Sequence, residues 1–268
     1  MITVGDACVL GVVQGLTEFL PVSSDGHLAL LHWLIAPLPP TETLAVDVGL
    51  HAGTLAATIA YFHRDLLGMC AALRPSGAGT WERRWIWLLA LGSVPVALVG
   101  GLWKSAIEQT FTSMTVVGVS FLVTGTLLFL TKFIRETWRG ERDLGVGDAL
   151  LVGCFQTAAL LPGLSRSATT ITGGLVRRMR PEVAARFSFL LGIPAVVGAE
   201  ILEFGTLRGL DPASRSAVLV GAVVAGLVGV VAIWSLMRLL ASRRLHYFAY
   251  YLWPLGVTVL MTSWGRGG

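Results

Sequence analysis

Charge is what this sequence has least of. Asp, Glu, Lys and Arg make up 13% of its 268 residues, about half the share of a soluble domain. Hydrophobic residues make up 54%, and the mean hydropathy is +0.72. A soluble enzyme or a nucleic-acid-binding module does not have this composition, and no nucleic-acid partner is expected despite the formal net charge of +4. Cysteine is also scarce. Cys8, Cys70 and Cys154 are scattered and form no C-x-x-C pair, so neither a disulfide framework nor a structural zinc is expected. They read as small buried apolar side chains. No Lys or Arg precedes the first apolar stretch, and Asp6 sits near its start. That stretch is therefore not expected to be a cleaved signal.

What the sequence has instead is long apolar runs. Segments at 44–62, 85–103, 113–133, 185–204, 216–240 and 247–264 are nearly free of charge, at about the 20 residues needed to cross a bilayer core. Four other runs are too short. Residues 5–20 stop at Leu20-Pro21, and 26–36 stop at Pro37; 147–161 stop at Leu161-Pro162-Gly163, and 167–176 follow directly. Two half-length helices around a polar break suggest a re-entrant hairpin, which is tolerated at membrane depth only when buried or lining a wet cavity.

The expected fold is therefore an all-α polytopic membrane protein, one membrane domain over 1–268. It divides into two repeats, about 1–135 and about 146–268, each a re-entrant helical hairpin followed by three transmembrane helices. Gln14 lies nine residues before Ser23, and Gln156 nine before Ser165, an echo between the halves. Three crossings per half would insert the second copy upside down, giving an inverted-topology repeat with its site where the broken helices meet. Loop charge gives an orientation. The loops holding Arg64 to Arg84, Lys132, Arg135, Arg139 and Arg142, Arg177 to Arg186, and Arg238 to Arg244 carry most of the 20 basic residues. They are expected in the cytoplasm. Lys104, Arg208, Arg215 and Arg266 fall on the other side. Trp85, Trp103, Trp253 and Trp264, near span ends, read as interfacial anchors.

The two breaks carry the chemistry. In the first, Gln14 and Glu18 share a helix face. Ser23 and Ser24 are candidate nucleophiles, and His27, three residues beyond Ser24, is a candidate acid or base. Ser23 or Asp25 also suits a helix cap. In the second, Pro162-Gly-Leu-Ser-Arg-Ser-Ala-Thr-Thr170 places Arg166 outside the loops, where it needs a partner. Ser165, Ser167, Thr169 and Thr170 add hydroxyls, and the helix starting near Ser167 offers N–H groups to an anion. The plainer alternative is an Arg166–Glu18 salt bridge that only locks the hairpins together. Asp47 and His51, four apart, are weaker candidates to line a cavity, and Glu200 and Glu203 lie where the fourth span reaches the surface.

Gln14-x-x-x-Glu18 with Pro21-Val-Ser-Ser, and Pro162-Gly-Leu-Ser-Arg-Ser-x-x-Thr170, resemble the two signature motifs of the undecaprenyl-diphosphate phosphatase, or bacitracin-resistance, family. Phe187-Ser-Phe-Leu-Leu extends the likeness. The resemblance implies a hydrolase of the bacterial inner membrane, with its site facing the periplasm. It would convert undecaprenyl diphosphate, a polyprenyl diphosphate lipid, to undecaprenyl phosphate and phosphate, recycling the carrier for peptidoglycan and other envelope glycans. It implies that Ser24 is the nucleophile or a phosphate contact, and that Glu18 and His27 are acid/base or metal-linked groups. Arg166, with Ser165 and Ser167, would clamp the diphosphate. Gln14, Ser23, Asp25 and Thr170 would contribute to substrate binding. A divalent cation, magnesium or calcium, is implied, with Glu18 as the candidate ligand. Gln14 stands where many members have Glu, and Asp25 where threonine is common. The alternative function is a prenyl-phosphate flippase or another anion transporter, since broken-helix repeats are common among carriers. A homodimer is compatible with the sequence.

Overall fold

The computed structural model describes residues 2–34, 38–75, 80–134 and 136–265. Pro37, Arg135 and Arg266 lie outside the described residues. The described chain is helical, with one isolated bridge between Arg139 and Met179 as its sheet-like contact. Twelve α-helices follow in order: α1 (Val4–Phe19), α2 (Ser24–Leu34), α3 (Pro40–Tyr61), α4 (His63–Ala72), α5 (Trp81–Leu102), α6 (Lys104–Thr110), α7 (Met114–Leu130), α8 (Val146–Ala158), α9 (Arg166–Val176), α10 (Pro181–Glu203), α11 (Pro212–Ala241) and α12 (Ala249–Gly265). Among the described residues, five helices are long and apolar enough to cross a membrane: α3, α5, α7 with its short extension to Phe133, α10 with its extension to Gly209, and α11. The sixth expected run forms α12, whose 17 residues lie at the short end of the spanning range. The chain is a multi-pass membrane protein.

Both expected hairpins are present. α1 ends at Phe19 and α2 starts at Ser24, while α8 ends at Ala158 and α9 starts at Arg166. Thr3 caps α1 in a capping box with Asp6, and Ser165 caps α9 by accepting from the Ala168 N–H. These side chains take up N–H groups that a helix start leaves without partners. The segment 64–84, expected to be a polar loop, begins instead with α4, because Met69 and Ala72 find burial.

Close backbone approach organises the packing. α1 and α3 both lie along α11. A methyl group added at Gly11 would sit 2.4 Å from the Gly221 carbonyl oxygen, and one at Gly53 2.1 Å from that of Ala222. In lipid, where apolar burial drives little helix association, such small-residue contacts let backbones meet. α5 and α8 touch in the same way through Gly92 and Gly153. α7 receives the tips of both hairpins: Gly26 faces the Phe121 ring and the Gly163 Cα, and Gly163 faces Val117 and Ser120. Gly163 also has φ +89°, a conformation that side chains disfavour.

The basic loops that the sequence groups on one side hold one another. Arg186 joins Asp65 at 3.2 Å and Glu141 at 3.4 Å. Asp148 binds Arg139 at 2.7 Å and Arg177 at 2.6 Å, and Arg243 donates to Thr137 at 3.0 Å. Two expectations fail here. Trp85 is fully buried, donates to the Glu141 carbonyl at 2.9 Å and packs edge-on against Phe187, so it is a core residue and not an interfacial anchor. None of the cysteines is fully buried: Cys8 is half-buried, and Cys70 and Cys154 are exposed.

Gly53→Val is expected to destabilise the protein by about 3 kcal/mol, through overpacking against the α11 backbone. Gly101→Ala, where nothing lies within 4 Å, is expected to leave stability unchanged or slightly raised. Thermal unfolding of the two variants in detergent checks the contrast.

Candidate active site

Where the hairpin tips meet, Arg166 Nη2 donates to Glu18 Oε1 at 2.7 Å. The Ser24 hydroxyl donates to the other oxygen, Oε2, at 2.7 Å. One carboxylate thus joins the arginine of the second break to the serine of the first. The two side chains of the ion pair are 19% and 10% exposed, and the Phe189 ring lies 6.0 Å from the guanidinium carbon. Behind Glu18, Gln14 is fully buried and its Nε2 donates to Glu18 Oε2 at 3.3 Å and to Thr54 at 3.4 Å. Ser23 holds φ +74°, a conformation rare for a residue with a side chain. Its Oγ accepts from the Gly26 N–H at 3.3 Å, so Ser23 shapes the turn that presents Ser24.

These groups open on a cavity of about 350 Å³, lined by Glu18, Ser23, Ser24, Asp25, Ser165 and Arg166 among others. Its remaining wall is largely apolar, with Leu44, Val48, Val96, Leu160 and Val196. Polar and charged groups thus share the hollow with apolar ones, the usual make-up of a small-molecule site. The other expected residues lie just behind the wall. Ser167 meets Ser165 at 3.1 Å and the Leu20 carbonyl at 3.4 Å. Thr170, fully buried, binds the Arg166 carbonyl at 2.6 Å and the Ser188 hydroxyl at 2.5 Å. They hold α9 in place and do not line the cavity.

His27 is not brought to the Ser24 hydroxyl. Its Nδ1 lies 2.7 Å from the Ser23 carbonyl, so that nitrogen carries the hydrogen. Its Nε2 lies 2.7 Å from the Tyr251 hydroxyl, and the ring stacks on Tyr251 and meets Phe121 edge-on. Both nitrogens are engaged, and the ring packs the tip of the first hairpin. The histidine facing Glu18 and Asp25 is His51. Its Nδ1 bonds the Asp47 carbonyl at 2.8 Å. Its Nε2 stands 3.5 Å from Asp25 and 3.7 Å from Glu18. Its signal in the sequence was the Asp47/His51 spacing within a membrane span, weaker than the spacing of Ser24 and His27 across a turn. Asp47 itself pairs with His32 at 2.9 Å. Glu200 and Glu203 also line the cavity, Glu203 bound to Lys104 at 2.8 Å.

Among the described residues, no three His, Cys, Asp or Glu side chains converge closely enough to cage a metal ion unaided. The cavity is nevertheless rich in carboxylates: Glu18, Asp25, Asp47, Glu200 and Glu203, with Arg166 and His51 among them. A hard divalent cation needs one or two carboxylates when substrate phosphate completes its shell. Asp25, which has no arginine partner among the described residues, fits that role beside Glu18.

The comparisons with known proteins agree with the motifs. The model of the family described as "Bacitracin resistance protein BacA" matches residues 7–258. The chain belongs to this family. It is 39% identical over 251 residues to a protein of Syntrophotalea carbinolica named undecaprenyl-diphosphatase, covering 93% of this chain and 95% of that one. It is likewise 39% identical to a protein of that name from Thermomicrobium roseum, over 96% and 97% of the two chains. A third so named, from Methanobrevibacter smithii, is 37% identical over 96% of each.

Within this BacA-family site, Glu18→Gln leaves the Arg166 charge facing a neutral amide. Because the pair is partly exposed, the expected loss of stability is about 2–3 kcal/mol. Ser24→Ala, which removes one hydrogen bond, is expected to cost about 1 kcal/mol. Melting of both purified variants against the parent protein checks the order.

Proposed function

We propose that this chain hydrolyses undecaprenyl diphosphate to undecaprenyl phosphate and inorganic phosphate, so returning the lipid carrier to peptidoglycan and envelope glycan synthesis. The observation that carries the proposal is the continuous Ser24–Glu18–Arg166 chain facing one cavity within a membrane protein of this family. A diphosphate head group is an anion that apolar surroundings cannot hold alone. Arg166 supplies charge and donors for it, helped by the first α9 N–H groups that the Ser165 cap leaves unfilled.

The chemistry follows from the hydrogen-bond directions. Ser24 Oγ attacks the terminal phosphorus while its proton passes to Glu18 Oε2. The bond from phosphorus to the bridging oxygen breaks, and the electron pair leaves on undecaprenyl phosphate. Water then attacks the phosphoserine, phosphate departs, and the proton on Glu18 returns to Ser24. Arg166 stabilises the charge spread over the transferring phosphoryl group. His51 positions Glu18 and Asp25. A divalent cation, magnesium or calcium, would be held by Asp25 and Glu18 and would neutralise charge on the diphosphate. The apolar wall gives the prenyl tail a path sideways towards lipid. Direct attack by water, with Ser24 as a phosphate contact, is the other route through the same pocket.

The two hairpins fit an inverted-topology repeat, one entering from each side of the membrane. The basic loops gathered at one end favour that end as cytoplasmic. The cavity would then open to the periplasmic face of the bacterial inner membrane. Every group in the scheme comes from one chain, so a homodimer would add packing and no chemistry. A carrier needs an anion site but no serine hydroxyl bound to a carboxylate, which favours the hydrolase over a flippase.

Detergent-purified protein, with no second compartment to transport into, is expected to release phosphate from undecaprenyl diphosphate. Ser24→Ala is expected to lower that rate by at least about a thousandfold. Absence of release by the parent protein overturns the function, whereas near-normal turnover by the variant removes the phosphoserine.

A further inference from the structure

Gln156 is a cavity residue for which neither the fold nor the scheme above has a use. It sits on α8, 2% exposed, and it lines the cavity together with Ser165 and Arg166. Neither its amide nitrogen nor its amide oxygen has a hydrogen-bond partner among the described residues. Buried polar groups are nearly always satisfied, and an unpaired buried amide costs free energy that Leu or Met of similar volume would avoid. The contrast with Gln14 is informative. Gln14 precedes Ser23 by the interval at which Gln156 precedes Ser165, yet only its Oε1 lacks a partner among the described residues; its Nε2 is taken by Glu18 and Thr54, and it does not line the cavity. The two glutamines therefore do different work. One holds the carboxylate, and the other, on the cavity wall, has an amide with no partner among the described residues.

We propose that Gln156 is a substrate-binding residue whose Nε2–H group donates to a non-bridging phosphate oxygen of the diphosphate, beside Arg166. This rests on the diphosphatase reading above. The ligand chemistry fits: phosphate oxygens accept hydrogen bonds, an amide N–H donates one, and a neutral amide adds recognition without further charge. Because the contact is made in the bound ground state as well as in the transition state, its loss acts mainly on KM.

The test is Gln156→Met in detergent-purified protein. The expected result is a KM for undecaprenyl diphosphate raised about tenfold, with kcat within about threefold of the parent. Inhibition by inorganic pyrophosphate is expected to weaken by a similar factor, and the melting temperature to stay level or rise. An unchanged KM together with unchanged pyrophosphate inhibition overturns the proposal. So does a lowered melting temperature with KM unchanged, which marks the amide as structural. Should the parent release no phosphate, the diphosphatase reading fails by itself. Calorimetric titration of both proteins with pyrophosphate then still decides: weaker binding to the variant supports the contact, and equal binding overturns it.

Discussion

Between Glu18 and Arg166, 148 residues apart in the chain, one ion pair ties the two interrupted helices together inside the membrane protein. An arginine at that depth is costly unless a counter-charge and hydrogen bonds meet it, and a carboxylate has the same need. Each group makes the other tolerable. The second oxygen of Glu18 is left to accept from Ser24, beside the cavity that Arg166 also lines. The contacts that lock the hairpins and those that hold Ser24 are one set.

The rest of the architecture serves to bring two helix breaks to the same point. α7 is the surface on which both tips rest, and Thr124 binds both sides of the second break, donating to the Gly163 carbonyl at 3.2 Å and accepting from the Ser165 N–H at 3.2 Å. Backbone groups in a break have lost their helical partners and need others in an apolar surrounding. A hydroxyl from a continuous neighbouring helix does so. Gly26 and Gly163 face each other there because no side chain fits between the tips.

Much of this was legible in advance for a simple reason. A membrane imposes one hydropathy rule on every segment that enters it, so the hairpins at 5–36 and 147–176 and the long runs between them stand out in composition alone. Pro21, Pro162 and Gly163 mark the breaks because proline removes a helix donor and Gly163 takes the positive φ of a turn. Loop arginines grouped by side are the arginines that the fold gathers. Composition misjudged the pieces whose environment depends on neighbours. α4 was hidden in a polar segment, Trp85 looked like an anchor and is core, and the cysteines looked buried and are not.

The histidines show the boundary most clearly. From residue types and spacing, the chain determined by itself a membrane-embedded, all-helical protein with two polar breaks bearing Glu18, Ser24 and Arg166. Which histidine faces Glu18 was decided by tertiary structure alone. His27 is near in sequence, yet its ring turns to Ser23 and Tyr251, while His51 arrives from a separate helix to face Glu18 and Asp25. Likewise, two glutamines at matching positions part company, one bound to Glu18 and one left with its amide unpaired in the cavity. Local spacing limits which side chains can reach one another; which of them do is settled by how the helices pack, and that depends on contacts between residues far apart in the chain.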